Sequence, residues 1–293
     1  MPFEIDDNNK ELISKWSNLS IKSNDLNEVE NKLAFIKPFN KLLEHIHISI
    51  AIHYPLIIEG ETGKGKKSAI NYMANILGYD VVYFNISNST TVEDLFCKKM
   101  AIEKDGNMIF KDIRSLLLDA IDYKINKEKN CIIILDNLQL ANSNVLESLV
   151  PVFDPKIPSI LIQGEEIYKG IYNIIGIIDS SIESKDVNEF IPNSIKNSTI
   201  FYKNSKYLKR HYCQKIIEKM FDDEYEENES KIEYFLNSYI KLNNYVIEKQ
   251  IKEIFSFNDF KKFLFFMKKS RTEESDPLTS IFDIQTLTQL LLI

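Results

Sequence analysis

Short apolar runs alternate with amphipathic stretches along the middle of this chain. The runs Leu56 to Glu59, Asp80 to Ile86, Cys131 to Asp136, Asn173 to Ile178 and Ser198 to Tyr202 have the length and β-branched content of buried strands. Between them lie helical patterns. Leu42, Leu43, Ile46 and Ile50 recur at helical spacing and predict a helix over Phe35 to Ile52. Ala69 to Leu77 is amphipathic and meets Gly78, a residue suited to a helix C-terminus. Asn88 to Phe96 opens like a capped short helix, a Lys-Asp-Gly-Asn turn spans 104–107, and helices are predicted near Ile113 to Tyr123 and over Asn144 to Phe153. Asp154-Pro155 stops the last of these, and Ile160 to Ile162 with Glu166 to Tyr168 predicts a hairpin.

Outside this region the pattern changes. Residues 1–33 are polar and rich in Asn and Asp, and read as a leader or linker with short helices around Glu11 to Trp16 and Leu26 to Leu33. Beyond Asn204 only helical periodicity remains: Leu208 to Phe221, Ile232 to Asn243, Val246 to Ile254 and Phe257 to Lys269, broken by the acidic run Asp222 to Glu229. The expected organisation is a leader over 1–33, an α/β domain with a parallel sheet over 34–204, and a small all-helical domain over 205–293.

The first strand runs straight into Gly60-Glu61-Thr62-Gly63-Lys64-Gly65-Lys66-Lys67-Ser68, and a helix follows. That spacing fits the phosphate-binding pattern G-x-x-x-x-G-K-[S/T], in which backbone N–H groups wrap a diphosphate, a lysine reaches its outer oxygens and a hydroxyl binds Mg²⁺. Here Lys67 holds the hydroxyl position. Ser68 comes one residue late, and one residue turns a helical side chain by about 100°. The loop is equipped for phosphate and poorly equipped for magnesium. Asp136, the acid closing the third strand, stands at the Walker B position.

Composition narrows the classes. The chain has 293 residues, a net charge of −7 and 44% hydrophobic residues, so it can bury a sizeable core and is not a disordered acidic tail. Nothing is basic enough to argue for nucleic acid. Cys97, Cys131 and Cys213 give neither a disulfide framework nor zinc spacing, and His45, His47 and His53 share no helical face. No run approaches the ~18 apolar residues of a membrane helix. A membrane is not expected as partner, and the expected location is the cytoplasm or nucleus.

With the loop, the acid strand and the helical C-terminal part in place, the sequence resembles the AAA+ ATPases, in particular the dynein-related, midasin-like branch. The stretch Ile134-Leu135-Asp136-Asn137-Leu138-Gln139-Leu140-Ala141, continuing through Val145-Leu146-Glu147-Ser148-Leu149, is similar to that branch's "LDEINLA…VLERL" run. Gly60 to Gly63, Asn85 to Leu95 and Phe255 to Phe260 add to it, and the likeness covers roughly residues 35–270. It implies a P-loop NTPase core with a helical lid over 205–293, ATP or ADP bound at Gly60 to Ser68, Mg²⁺ held indirectly by Asp136, and assembly with other AAA+ modules or copies of itself in a ring.

The departures fall where such an ATPase does its chemistry. Asn137 replaces the glutamate that polarises the attacking water, and Lys67 the Mg²⁺-binding hydroxyl. Asp179 corresponds to the sensor asparagine, Lys196 and Ser198 align with the arginine-finger segment, Asn258 with the lid sensor arginine, and Cys97 with a glycine. An amide is no general base, and loss of a finger arginine alone costs ~10³ to 10⁵ in turnover. Three readings stay open: a nucleotide-binding module with weak or absent hydrolysis serving a ring, in which Lys67 stands where Mg²⁺ would; a working midasin-type ATPase that remodels complexes such as assembling ribosomes; and a scaffold that no longer binds nucleotide.

Overall fold

A five-stranded parallel sheet carries the first part of the molecule, described by a computed structural model over residues 3–6, 11–14, 20–22, 33–104, 107–125, 130–180, 190–203, 210–221, 229, 232–241, 260 and 262. In chain order the elements are β1 (Phe3–Asp6), β2 (Glu11–Ser14), β3 (Ser20–Lys22), α1 (Lys37–Ala51), β4 (Leu56–Gly60), α2 (Lys66–Leu77), β5 (Asp80–Asn85) and α3 (Val92–Leu95). Then come β6 (Cys97–Lys104), β7 (Asn107–Arg114), α4 (Leu116–Ile121), β8 (Cys131–Asp136), a 3₁₀ turn (Leu138–Leu140), α5 (Ser143–Phe153), β9 (Ser159–Ile162) and β10 (Glu165–Tyr168). The series ends with β11 (Tyr172–Asp179), α6 (Asn193–Asn197), β12 (Ile200–Lys203) and α7 (Arg210–Phe221).

Sheet order is β12-β4-β11-β8-β5, with every neighbouring pair parallel. The near-continuous apolar runs of β4, β8 and β11 are explained by position: these three strands are interior to the sheet, and their side chains are almost wholly buried. Gly176 in β11 lets Leu138, Ile57 and Phe153 close over the sheet. Ile57, Ile133, Leu135, Leu146, Leu149, Phe153 and Ile178 belong to one buried core cluster.

Parallel pairing gathers strand C-termini on one edge. Asp179 pairs with Gly60 in register, and Asn85 pairs with Asp136. The glycine-rich loop after β4, the β8 acid and the β11 acid therefore share the edge at which open α/β sheets bind ligands.

Helix ends follow the local chemistry. Gly78 is left-handed at φ 64° and its N–H closes α2 onto Ala74 and Asn75. Thr91 and Asp94 form a reciprocal capping box on α3, and Ser115 and Asn142 cap α4 and α5. The expected parallel-sheet fold is what the chain adopts.

Several expectations need correction. Glu11–Ser14 is a strand paired with β1 and β3, not part of a helix over Glu11 to Trp16; cross-strand hydrogen bonds override a weak local pattern. Asp80–Asn85 is an edge strand with alternating exposure, not a buried one. The helix read near Ile113 to Tyr123 shrinks to Leu116–Ile121, because Asn107–Arg114 pairs antiparallel with Cys97–Lys104 in a hairpin. The expected helix over Val246 to Ile254 lies outside the described residues, as do those over Leu26 to Leu33 except Leu33 and over Phe257 to Lys269 except Phe260 and Lys262.

Two compact units emerge from the contacts: one of 1–26, 37–61 and 65–205, the other of 27–36, 62–64 and 206–293. In the second, Cys213, Ile217, Phe221, Ile232, Leu236, Tyr239 and Phe260 form their own apolar cluster. Among the described residues no helix is long and apolar enough to cross a membrane.

Candidate nucleotide site

β4 delivers Gly60 to the sheet edge, and the chain then turns through Glu61, Thr62, Gly63 and Lys64 to Gly65. Gly63 and Gly65 sit at φ 79° and 78°, a region that side-chain-bearing residues avoid. At Gly65 a Cβ would also stand 3.3 Å from the Phe39 ring. This glycine is fixed by both backbone and space. α2 begins at Lys66, so the free N–H groups of its first turn and its positive dipole end lie beside the loop, as an anion requires. These residues fit a nucleotide diphosphate.

Lys66 is buried and donates to the backbone carbonyls of Gly60 and Glu61, the latter at 2.8 Å. Burial holds its ammonium below the ordinary lysine range, against the pull of Asp179, Asp136 and Glu61. Glu61, Asp136 and Asp179 are themselves buried. Thus the lysine that in such loops reaches phosphate rests here on its own loop, within a negative field. Ser68 is exposed, one position beyond Lys67.

Lys67 reaches Asp136. Its Nζ stands 2.6 Å from Asp136 Oδ2 and 4.9 Å from the centre of the Tyr83 ring, whose hydroxyl donates to the same oxygen. Burial lowers the Lys67 pKa, but hydrogen bonds to Asp136 and Tyr83 and the Asp136 charge outweigh it, and the value lies above the usual one. For Tyr83, burial and then the Asp136 bond push the phenol up. This donor set does not fit a magnesium ion: an ammonium stands at the hydroxyl position and already holds the acid.

Asn137 follows in a left-handed conformation, φ 59° and ψ 44°, which Asn tolerates better than most residues. Its Nδ2 donates to Asn85 Oδ1 at 2.8 Å, and its Oδ1 accepts from Gln139 Nε2 at 3.4 Å. Gln139 Oε1 in turn accepts the Asp179 backbone N–H at 3.1 Å. A neutral amide chain thus links the ends of β5, β8 and β11.

The structure brings Gly60, Glu61, Gly65, Lys66, Lys67, Asp136, Asn137 and Asp179 to one edge. Thr62 to Lys64 are the middle of the loop and group with the second unit. Lys196 lies on α6, its Nζ 3.5 Å from Asn193 Oδ1. Asn258 falls outside the described residues. Sequence reasoning missed Tyr83, Asn85 and Gln139. Tyr83 and Asn85 share one face of β5 by strand alternation, and only the β5–β8 register turns them toward Asp136.

Part of the chain is similar to known proteins. The sequence pattern of the AAA domain, dynein-related subfamily, matches residues 55–190. Midasin of Giardia intestinalis is 33% identical over 100 residues, which is 34% of this chain and 2% of that protein. Midasin of Dictyostelium discoideum is 26% identical over 107 residues, 36% of this chain and again 2% of that protein. A solved ATPase of Cytophaga hutchinsonii, described as putative, superposes with a TM-score of 0.47 and 13% identity, over 68% of this chain and 54% of that one. Residues 55–190 match the AAA domain of the dynein-related subfamily, and 34% to 36% of the chain is similar to a stretch of midasin.

Proposed function

We propose that this chain is a nucleotide-binding AAA+ module with weak or absent ATP hydrolysis, acting as a structural or regulatory unit in a ring or larger assembly in the cytoplasm or nucleus. The observation that carries the reading is Asn137. Hydrolysis is aided by a group that takes a proton from the attacking water or orients it, and an amide has no basic lone pair for the first task. Asn137 is further engaged at both ends of its side chain, by Asn85 and Gln139. Lys196 in place of a finger arginine weakens charge stabilisation at any site it serves, since ammonium lacks the planar fork of guanidinium. Binding is the task the loop retains: glycines with free torsions, the α2 N-terminus and Lys66.

Phosphate release on the full chain tests this, alongside binding of a fluorescent ATP analogue. The wild type is expected to bind the analogue and release phosphate at background rate. Lys66→Ala is expected to lose binding, and Asn137→Glu combined with Lys67→Thr to raise release by about tenfold or more, a part of the 10²–10⁴ that a general base contributes. Wild-type turnover that Lys66→Ala abolishes would instead establish a working midasin-type ATPase. Absence of binding would leave a scaffold. Sedimentation with and without nucleotide tests the ring, with association above monomer mass as the expected result.

A further inference from the structure

Among the described residues, the side-chain contacts of Asp136 fall on one oxygen. Oδ2 takes the Lys67 ammonium at 2.6 Å, the Tyr83 hydroxyl, and the Asn137 Nδ2 at 3.5 Å. The side chain of Asp136 is only 6% exposed, whereas that of Lys67 is 52% exposed. Oδ2 of the acid is therefore occupied by donors, while the ammonium on it faces solvent. The Tyr83 ring beneath that ammonium supplies a second attraction from its π-face.

We infer that Lys67 is an internal counter-cation, clamped by Asp136 and Tyr83, so that the site takes a nucleoside polyphosphate in its metal-free form and Mg²⁺ opposes binding. The inference rests on the nucleotide-binding reading above and names the form of the ligand. A free polyphosphate brings its full negative charge to two ammonium groups one residue apart, Lys66 and Lys67. Its Mg²⁺ complex brings two fewer negative charges, and its cation meets the Lys67 ammonium as a like charge. Oδ2 of Asp136 already accepts three donors and has no lone pair left for a metal-bound water, which leaves Oδ1 alone to receive one. Tyr83 is a positioning residue: its hydroxyl and ring hold acid and ammonium in register.

Titration of the full chain with a fluorescent ATP analogue, in EDTA and in excess Mg²⁺, tests this. Wild type is expected to bind tighter in EDTA by about tenfold, the scale of one charge-assisted hydrogen bond. Lys67→Thr supplies the missing hydroxyl and is expected to invert the preference. Tyr83→Phe keeps the ring and removes the donor, and is expected to bring the ratio toward one. Circular dichroism checks each fold, and should Lys67→Thr not fold, the wild-type ratio and Tyr83→Phe decide alone. Tighter wild-type binding in Mg²⁺, or a Lys67→Thr variant with the wild-type preference, overturns the inference and leaves the nucleotide reading standing. No binding in either medium removes both.

Discussion

Lys67 and Asp136 tie the start of α2 to the end of β8, and this has a pH signature. The Lys67 pKa is raised in the folded chain, so the pair's contribution is complete below the unfolded lysine value and fades as pH climbs through the folded one. The Tyr83 phenol, also raised, moves the same way. Lys67→Thr is therefore expected to lower the urea midpoint at pH 7, by a free energy under about 1 kcal/mol because the ammonium is half exposed to screening solvent. The gap between variant and wild type should close above about pH 10.4, the ordinary lysine value. A gap constant to pH 11 would mean that bulk, not charge, is what the variant loses. Much of this cluster was legible beforehand, because loop spacing is local chemistry: Gly60 to Lys67 and Asp136 each sit at a strand end that apolar runs mark. Tyr83 was not, since strand register alone brings its hydroxyl to Asp136. Asn137 was legible as a lost base, but its left-handed backbone, which suits asparagine, was visible only in three dimensions.

Among elements, the 3₁₀ turn after β8 depends on one glycine. A Cβ at Gly176 would lie 2.3 Å from Leu138 Cδ1 and 3.3 Å from Ile57 Cγ1, with Phe153 close behind. Leu138 is buried at 1% exposure and has little room to retreat. Gly176→Ala is expected to cost about 1–3 kcal/mol, the range for overpacking a filled core, read as a lowered denaturant midpoint with unchanged m-value. Because Leu138 follows Asn137, the same change should disturb the amide chain to Asn85 and Gln139 and weaken binding of the ATP analogue. An Ala variant as stable as wild type would show that the turn yields freely. The interior strands were readable as elements because burial on both faces writes them as apolar runs. β5 was misjudged as buried since its Val-Val-Tyr-Phe looks the same on a sheet's edge. The β6–β7 hairpin was missed because its exposed faces mix Lys, Met, Phe and Asp with no clean alternation.

At the scale of the molecule, each compact unit has an apolar cluster of its own. The cluster of the first unit draws on residues between Ile57 and Ile195, and that of the second on residues from Cys213 to Phe260. The periodicity shifts from mixed to purely helical near Asn204, whereas the contacts group 27–36 and 62–64 with 206–293 and the rest of the chain up to Ser205 together. A parallel sheet is stable only when both its faces are covered, and the cluster that buries Ile57, Ile133, Leu135 and Ile178 is made of residues that precede 205. A fragment ending at Ser205 therefore retains the interactions that bury Ile57, Ile133, Leu135 and Ile178. It is expected to unfold in one cooperative thermal transition within about 5 °C of the main transition of the full chain, given that 1 kcal/mol moves a domain of this size by about 2–4 °C. The Lys67–Asp136 pair lies inside that fragment, so Lys67→Thr should shift its midpoint as it shifts the intact protein's. A fragment that binds a hydrophobic dye and lacks near-ultraviolet dichroism would instead show that the sheet needs the helical part to reach its native packing. In that case the two clusters form one cooperative unit despite their separate membership.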